Sequence, residues 1–280
     1  MLFTFSSQKR SFMNVPTDVS AAMMSRSLSA NMSFLPIFLI NLDRSPHRLK
    51  DVDDSMRQLD LDYERVPAVD GRATSTAEVN AVYSHKRNVE RYNYDLTQGE
   101  IACYMSHRKA WKKLLDSDHP AAIILEDDIV LSPAFADLHH AVADIASSKY
   151  ANWDIIKLAQ PFKPKESTPL DAFGDFTLVD YEKPPMGACG YLISRQGAKK
   201  MLSRTPFFRP VDVDMQWQWE TGAHVLGLLP YTVDNSHTHE SDIFSVANRH
   251  EAKRRGWVRL KEQWRFFWQN RRYHKRRQRL

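Results

Sequence analysis

The chain has 280 residues, of which 42% are hydrophobic, 26% charged and 11% aromatic. That composition belongs to a globular protein of one large domain or two small ones, and it excludes collagen, full-length disorder and a disulfide-rich miniprotein. The formal net charge of +5 hides an asymmetry: residues 249–280 hold 13 basic and 2 acidic side chains, a net of +11, which leaves −6 for residues 1–248.

Two cysteines, Cys103 and Cys189, give neither a disulfide framework nor a four-ligand zinc site, and they suit a reducing cytosol. No run of 18 apolar residues offers a membrane span. Residues 1–33 are rich in Ser and Met without an apolar period. Lys9 and Arg10 follow the only early apolar pair, unlike the order in a secretory signal. Residues 1–33 are therefore expected to be a disordered extension, 34–248 the domain, and 249–280 a basic tail.

Order is expected from Phe34, where Phe34–Leu42 reads as a strand buried on both faces. Ser45-Pro46 opens a helix with Leu49, Val52, Met56 and Leu59 on one face. Tyr63–Val66 is a second strand, closed by Pro67 and an Asp70-Gly71 turn, so the chain opens β-α-β. Residues 72–96 read as a polar surface excursion. Thr97 and Glu100 form a capping box for a helix reaching about Leu115. Ala121–Leu125 is an apolar strand that runs into Glu126-Asp127-Asp128, and Ser132-Pro133 opens a further helix. Trp153–Leu158, Phe176–Tyr181, Gly190–Ser194 and Val225–Val233 read as strands, and Gln196–Leu202 as a helix. The prediction is an α/β domain with a mostly parallel central sheet flanked by helices.

Ligands of open α/β sheets bind at the carboxyl ends of strands. Three carboxylates there repel each other unless a cation sits among them. Oxygen ligands suit a hard ion such as Mg²⁺ or Mn²⁺, which usually also holds a phosphate. The competing reading of residues 126–128 is a charged loop paired with Lys or Arg. Asn41, Leu42, Arg44 and Arg48 follow the first strand, where a nucleotide base or phosphate docks; the alternative is a plain strand-to-helix turn. The glycine patterns of dinucleotide-binding and P-loop proteins are absent. His107 shares a helical face with Cys103, Ala110 and Leu114, which fits a core histidine or one that orients the acidic loop. Asp212 and Asp214 would point to one side of an extended segment, either as a general base or as a cap of the next helix.

Together these segments resemble glycosyltransferase family 25, the group with bacterial lipooligosaccharide-core galactosyl- and glucosyltransferases. The residues that carry the resemblance are Ile40-Asn-Leu-Asp-Arg-Ser-Pro-His-Arg48, Val66-Pro-Ala-Val-Asp-Gly71, Leu96–Trp111, Ile124-Leu-Glu-Asp-Asp128, Gly187–Lys199 and Pro210-Val-Asp-Val-Asp214, in order over roughly residues 35–245. The resemblance implies a GT-A-like fold, a UDP-sugar donor, a divalent metal (Mn²⁺ or Mg²⁺) and an inverting single displacement. It places Asn41, Leu42, Arg44, Arg48, Asp70, Glu126, Asp127, Gly187 and Gly190 at the donor. Asp128 and Glu126 would stand at the metal, Asp212 or Asp214 would be the base, and Ser106 and His107 would be supporting residues. Gly187–Gly190 also fits a purely structural tight turn. His237 and His239 are candidates for a late metal ligand, where the resemblance leads one to expect Gln. The implied reaction moves a hexose, galactose first, to a lipopolysaccharide-type acceptor. A non-catalytic sugar-nucleotide or membrane-binding protein on the same fold is the alternative.

Beyond the resemblance, Trp257, Leu260, Trp264, Phe267 and Trp268 recur at helical spacing among Arg254, Arg255, Arg259, Lys261, Arg265, Arg271 and Arg272. This pattern reads as an amphipathic basic helix on an anionic membrane surface, spanning about residues 254–279. The competing reading packs the aromatics on the domain. A cytoplasmic protein, peripheral on the inner face of the membrane, is expected. No nucleic-acid module is visible, so no nucleic-acid partner is expected.

Overall fold

Strands whose two faces are both apolar must be covered from both sides, and the computed structural model, which describes residues 35–235 and 254–277, has that arrangement. In chain order the elements are β1 Ile37–Asn41, α1 Pro46–Gln58, β2 Glu64–Pro67, α2 Thr76–Val82, α3 His85–Arg91, α4 Gln98–Leu115, β3 Ala121–Glu126 and β4 Ile129–Leu131. A 3-10 turn, Pro133–Asp137, leads into α5 Leu138–Ala146. Then come β5 Ile155–Lys157, β6 Thr168–Phe173, β7 Phe176–Asp180, β8 Gly190–Ser194, α6 Arg195–Leu202, α7 Val211–Gln216, α8 Gln218–Thr221, β9 Val225–Leu229, β10 Val233–Asn235 and α9 Gly256–Arg277.

Eight strands form the central sheet in the order β2-β1-β3-β8-β5-β9-β7-β6. Period-2 alternation divides them between two cores. Leu39, Ile123 and Leu125 join Val52, Met56 and Phe135 on one face; Phe38, Ile40 and Ile124 join Tyr104, Trp111 and Met201 on the other. The α/β class and the flanking helices are as expected, but the sheet is mixed rather than mostly parallel. β1 runs parallel to β2 and β3, and β5 to β9, whereas β8 is antiparallel to both β3 and β5, and β7 to both β6 and β9. Strands buried on both faces look alike in sequence whichever way they run, so direction was not readable from apolar runs.

Several local expectations hold for chemical reasons. Pro46 opens α1 with Ser45 as its N-cap residue. Thr97 accepts the Glu100 amide while Glu100 returns a bond to the Thr97 amide, as a capping box should. The stretch 72–96 is not an irregular excursion. Ser75 and Glu78 form a second capping box that starts α2, and Ser84 caps α3. The expected strand Val225–Val233 is split at Pro230, and its second part, β10, pairs antiparallel with β4 in a separate two-stranded ribbon.

The basic tail forms α9, and its docked side is polar. Glu262 and Asn270 are its buried residues. Arg91 donates to Glu262 at 2.9 Å, and the Arg209 guanidinium lies 3.5 Å from it. Asn270 donates to the Glu182 carbonyl, and Arg277 pairs with Asp180 at 2.5 Å. Phe266, which the sequence reading had not named, turns inward, edge-on to Trp217 and Trp219 with centroids 5.4 and 5.0 Å away. Trp257 is 86% exposed and Trp264 65%, with Leu260, Phe267 and Trp268 exposed beside them. No described helix is long and apolar enough to cross a membrane.

Candidate active site

One edge of the sheet gathers the carboxyl ends of β1, β3 and β5 and the start of β8, because β8 runs against its two neighbours. Asn41, Glu126–Asp128, Lys157 and the Gly187–Gly190 turn therefore share that edge. The three acids separate into three different environments there.

Asp127 is buried and held on both oxygens. Asn41 Nδ2 donates to one at 2.6 Å and Arg48 to the other at 3.3 Å. Burial pushes its carboxyl up, and these two donors pull it back only in part. Asn41 is itself oriented by Arg65, whose Nε donates to Asn41 Oδ1 at 2.9 Å.

Glu126 is held from the helix side. Trp111 Nε1 can only donate, and it donates to the Tyr191 hydroxyl at 2.8 Å. The Tyr191 proton is then directed at His107 Nδ1, 2.9 Å away, which leaves His107 Nε2–H to donate to Glu126 Oε1 at 2.9 Å. This donor order assigns the tautomer. His107 is thus both a buried core residue and the group that orients the acidic loop. Burial raises the Glu126 carboxyl, but the bonds from His107 and Cys103 prevail and hold it below the usual carboxylate range.

Asp128 is the uncompensated one. Burial and the adjacent Glu126 and Asp127 charges raise its carboxyl to about 7. Its Oδ1 is buried without a hydrogen-bond partner among the described residues. An orphaned buried oxygen beside two other acids fits a hard divalent cation. Cys103, His107 and Glu126 also bring ligand-type atoms within 4.8 Å of one another. Burial keeps that thiol protonated and His107 is committed to Glu126, so this group reads as a hydrogen-bonded support.

A cavity in front of these acids is lined by Leu42, Arg44, Arg48, Asp70, Ser106, His107, Glu126, Asp127 and Asp128, so most of the expected donor residues meet there. Arg44 pairs with Asp70 at 3.1 Å. The Ser106 hydroxyl accepts the Val69 amide at 2.8 Å, which ties the loop carrying Asp70 to α4. Gly71 must be glycine for this approach, since a Cβ would lie 2.8 Å from the Gln98 carbonyl.

Four expectations change. Gly190 lies on β8, where a Cβ would strike Val233, so its smallness serves strand packing. Gly187, at φ +96°, does not line that cavity, and its amide donates to Asp212 Oδ2 at 3.2 Å. Asp212 and Asp214 lie on α7, not on an extended segment, so two residues of spacing sends them to opposite sides. Asp212 is half-buried at the sheet edge. Asp214 is fully buried against Arg209 (3.1 Å), Arg204 (3.6 Å) and the Tyr104 hydroxyl (3.1 Å), which removes it from the candidate bases. His237 and His239 lie outside the described residues.

Two residues at the site had not been singled out. Lys157 ends the buried strand β5; its Nζ bonds the Gly187 carbonyl, and burial lowers it to about 8 against the pull of Asp212. A lysine inside the apolar run Trp153–Leu158 was the signal. Arg209, fully buried with its guanidinium 3.6 Å from the Trp217 ring centroid, links Asp214, Glu220 and Glu262. Nothing local in the sequence distinguishes it from a surface arginine.

A mixed α/β sheet flanked by helices, with acids and arginines at its strand ends, is consistent with a GT-A-like glycosyltransferase fold. The chain belongs to glycosyltransferase family 25: residues 34–217 match the family described as Glycosyltransferase family 25 (LPS biosynthesis protein). It is 34% identical over 188 residues to a "Glycosyltransferase 25 family member" of Aedes aegypti, covering 64% of this chain and 29% of that protein. It is 29% identical over 190 residues to "Procollagen galactosyltransferase 2" of Homo sapiens, covering 65% and 30%. With "Procollagen galactosyltransferase 1-A" of Xenopus laevis it shares 30% identity over 191 residues, again 65% and 30%. The matched part therefore spans about a third of the length of these curated relatives.

Proposed function

We propose that the protein is a metal-dependent hexosyltransferase that moves galactose from UDP-galactose to a glycan acceptor by inversion. The observation that carries the reading is the orphaned Asp128 oxygen among three acids at the end of β3. A divalent ion held there by Asp128, with Glu126 at its waters, would supply electrostatic stabilisation of the departing diphosphate. Arg44 and Arg48 flank the same cavity and suit the phosphates and the nucleoside. Asp70 is kept ionised by the Arg72 amide and Arg44 despite partial burial, so it suits a ribose hydroxyl. Asp212 is oriented by the Gly187 and Val213 amides, at 3.2 and 2.8 Å, and is the base that takes the acceptor proton. β10 ends at Asn235 opposite Ile129, next to Asp128.

Galactose is favoured by the names of the vertebrate relatives, and a membrane-borne lipopolysaccharide-type acceptor by α9. Its outward face carries Trp257, Trp264 and Trp268 among arginines, as an interfacial helix does, with each basic group near anionic lipid adding about 1 kcal/mol. A peripheral protein of the inner cytoplasmic membrane face is the corresponding location. Cosedimentation with phosphatidylglycerol vesicles, lost on replacing Trp257 and Trp264 by Ser, is expected. Equal sedimentation of that variant would remove the membrane from the reading.

The decisive experiment is Mn²⁺-dependent binding and hydrolysis across a panel of UDP-sugars. Turnover of UDP-galactose that requires the metal supports the proposal. Folded protein that binds a UDP-sugar without any turnover supports a non-catalytic binding protein. Absence of binding to every UDP-sugar at millimolar concentration overturns both.

A further inference from the structure

Lys157 is a buried cation that the proposed reaction leaves without a task. β5 carries it to the sheet edge that gathers the acids. Period-2 alternation turns it, like Ile155, to the face that holds Tyr191 and Met215. It is 2% exposed. An ammonium taken out of water is costly unless it is well paired. Its hydrogen-bond partners among the described residues are a carbonyl and a thioether: Nζ donates to the Gly187 carbonyl and lies 3.3 Å from Met215 Sδ. A methionine in the same place would avoid the desolvation, so packing does not account for the amine.

Those two contacts close a ring around Asp212. The Gly187 amide donates to Asp212 Oδ2 at 3.2 Å. Asp212 and Met215 both lie on α7, three residues apart, so they are neighbours on its surface. Lys157 thus touches both the turn and the helix whose meeting holds the Asp212 carboxylate. Its Nζ also stands 5.9 Å from the Tyr191 ring centroid, which seats the side chain against β8.

Gly187 transmits the contact. Its amide and its carbonyl flank one Cα, so their relative directions are set by that residue's two dihedrals, of which φ is +96°. A Cβ would meet nothing within 4 Å there, so glycine serves the conformation and not the space. Glycine also has the widest choice of backbone conformations, so a bond to its carbonyl is what keeps the amide in place.

We propose that Lys157 is a positioning residue of the transfer: by clamping the Gly187 carbonyl beside α7 it keeps the Gly187 amide on Asp212 Oδ2, and so fixes the orientation in which that carboxylate takes the acceptor proton. The inference rests on the transferase reading above, with Asp212 as the base. Lys157 does not line the cavity of the acids, so it acts through Gly187 and not on the substrate.

The test is a double-mutant cycle on the full chain, read as Mn²⁺-dependent hydrolysis of UDP-galactose with water in the place of the acceptor hydroxyl. Lys157→Met keeps an unbranched apolar stem and removes the ammonium, so its melting temperature should equal or exceed that of wild type. Its kcat is expected to fall by about 10–100-fold, as for a base misplaced by about 1 Å. The KM for UDP-galactose and the affinity for UDP should not change. In the Asp212→Asn background the same substitution should cost less than about threefold, because the group it positions is already gone. Gly187→Ala, which has room for its methyl but an unsuitable φ, should repeat both results, and it replaces Lys157→Met in the cycle if that variant does not fold. Undiminished kcat, an equal fold-loss in both backgrounds, or a raised KM for the donor overturns the positioning role. Asp212→Asn at the wild-type rate, or wild type that turns over no UDP-sugar, overturns instead the reading on which it rests.

Discussion

Asp128→Ala is expected to remove Mn²⁺-dependent turnover, by about 10³-fold or more, while leaving the protein folded. Stabilisation of the leaving group by a bound ion is worth several kcal/mol, and about 1.36 kcal/mol corresponds to a factor of ten in rate. The fold should tolerate the change because Asp128 contributes no hydrogen bond through Oδ1 and is crowded by Glu126 and Asp127. The same crowding makes a second expectation for the wild type. With its carboxyl at about 7, Asp128 must release a proton when the ion binds. Calorimetric affinity for Mn²⁺ should tighten about tenfold per pH unit from pH 5 towards 7 and then level. Asp128→Ala should lose both the affinity and the slope. A variant that still binds Mn²⁺ with the wild-type pH profile would place the ion elsewhere.

Asp212 and Asp214 are two residues apart and should fail in opposite ways. Asp212→Asn keeps one of the two amide contacts, since its Nδ2 cannot accept the other, and it cannot take up a proton, so kcat should fall by about 10²–10⁴ with the KM for donor nearly unchanged. Asp214→Asn leaves Arg209 and Arg204 buried with one counter-charge fewer. Breaking such a buried pair is destabilising by about 3–5 kcal/mol, read as a lower denaturant midpoint. Steady-state kinetics and urea denaturation on the two variants separate these outcomes. A stable, inactive Asp214→Asn beside an active Asp212→Asn would reverse the roles.

How much of this was legible beforehand depended on whether the cause was local. The opening β-α-β, the Thr97–Glu100 capping box and the placement of three acids after an apolar strand follow from short-range chemistry, and they stand in the structure. The Ser75–Glu78 box was equally local and was passed over because the stretch around it is polar. Strand direction in the second half of the sheet depends on connections, not on composition, so β8 could not be read as antiparallel. Asp214 and Arg209 look like surface charges in sequence; only partners from α3, α4, α8 and α9 reveal a buried lattice. The tail was readable as amphipathic, but not that its docked side would be the polar one, clamped through Glu262.

Lys157 carries a consequence for alkaline conditions. Its ammonium titrates at about 8 in the fold, against 10.5 when solvated. Between those values the unfolded chain holds the extra proton, so this group makes the fold more stable as pH rises through that window and loses that contribution as pH falls through 8. Over the same window the positive charge beside Asp212 and Glu126 disappears, and with it part of the field that favours a departing anion. The contribution of Lys157 to stability should thus grow while the chemistry slows, and resistance to unfolding in mild alkali would be a misleading guide to the working range.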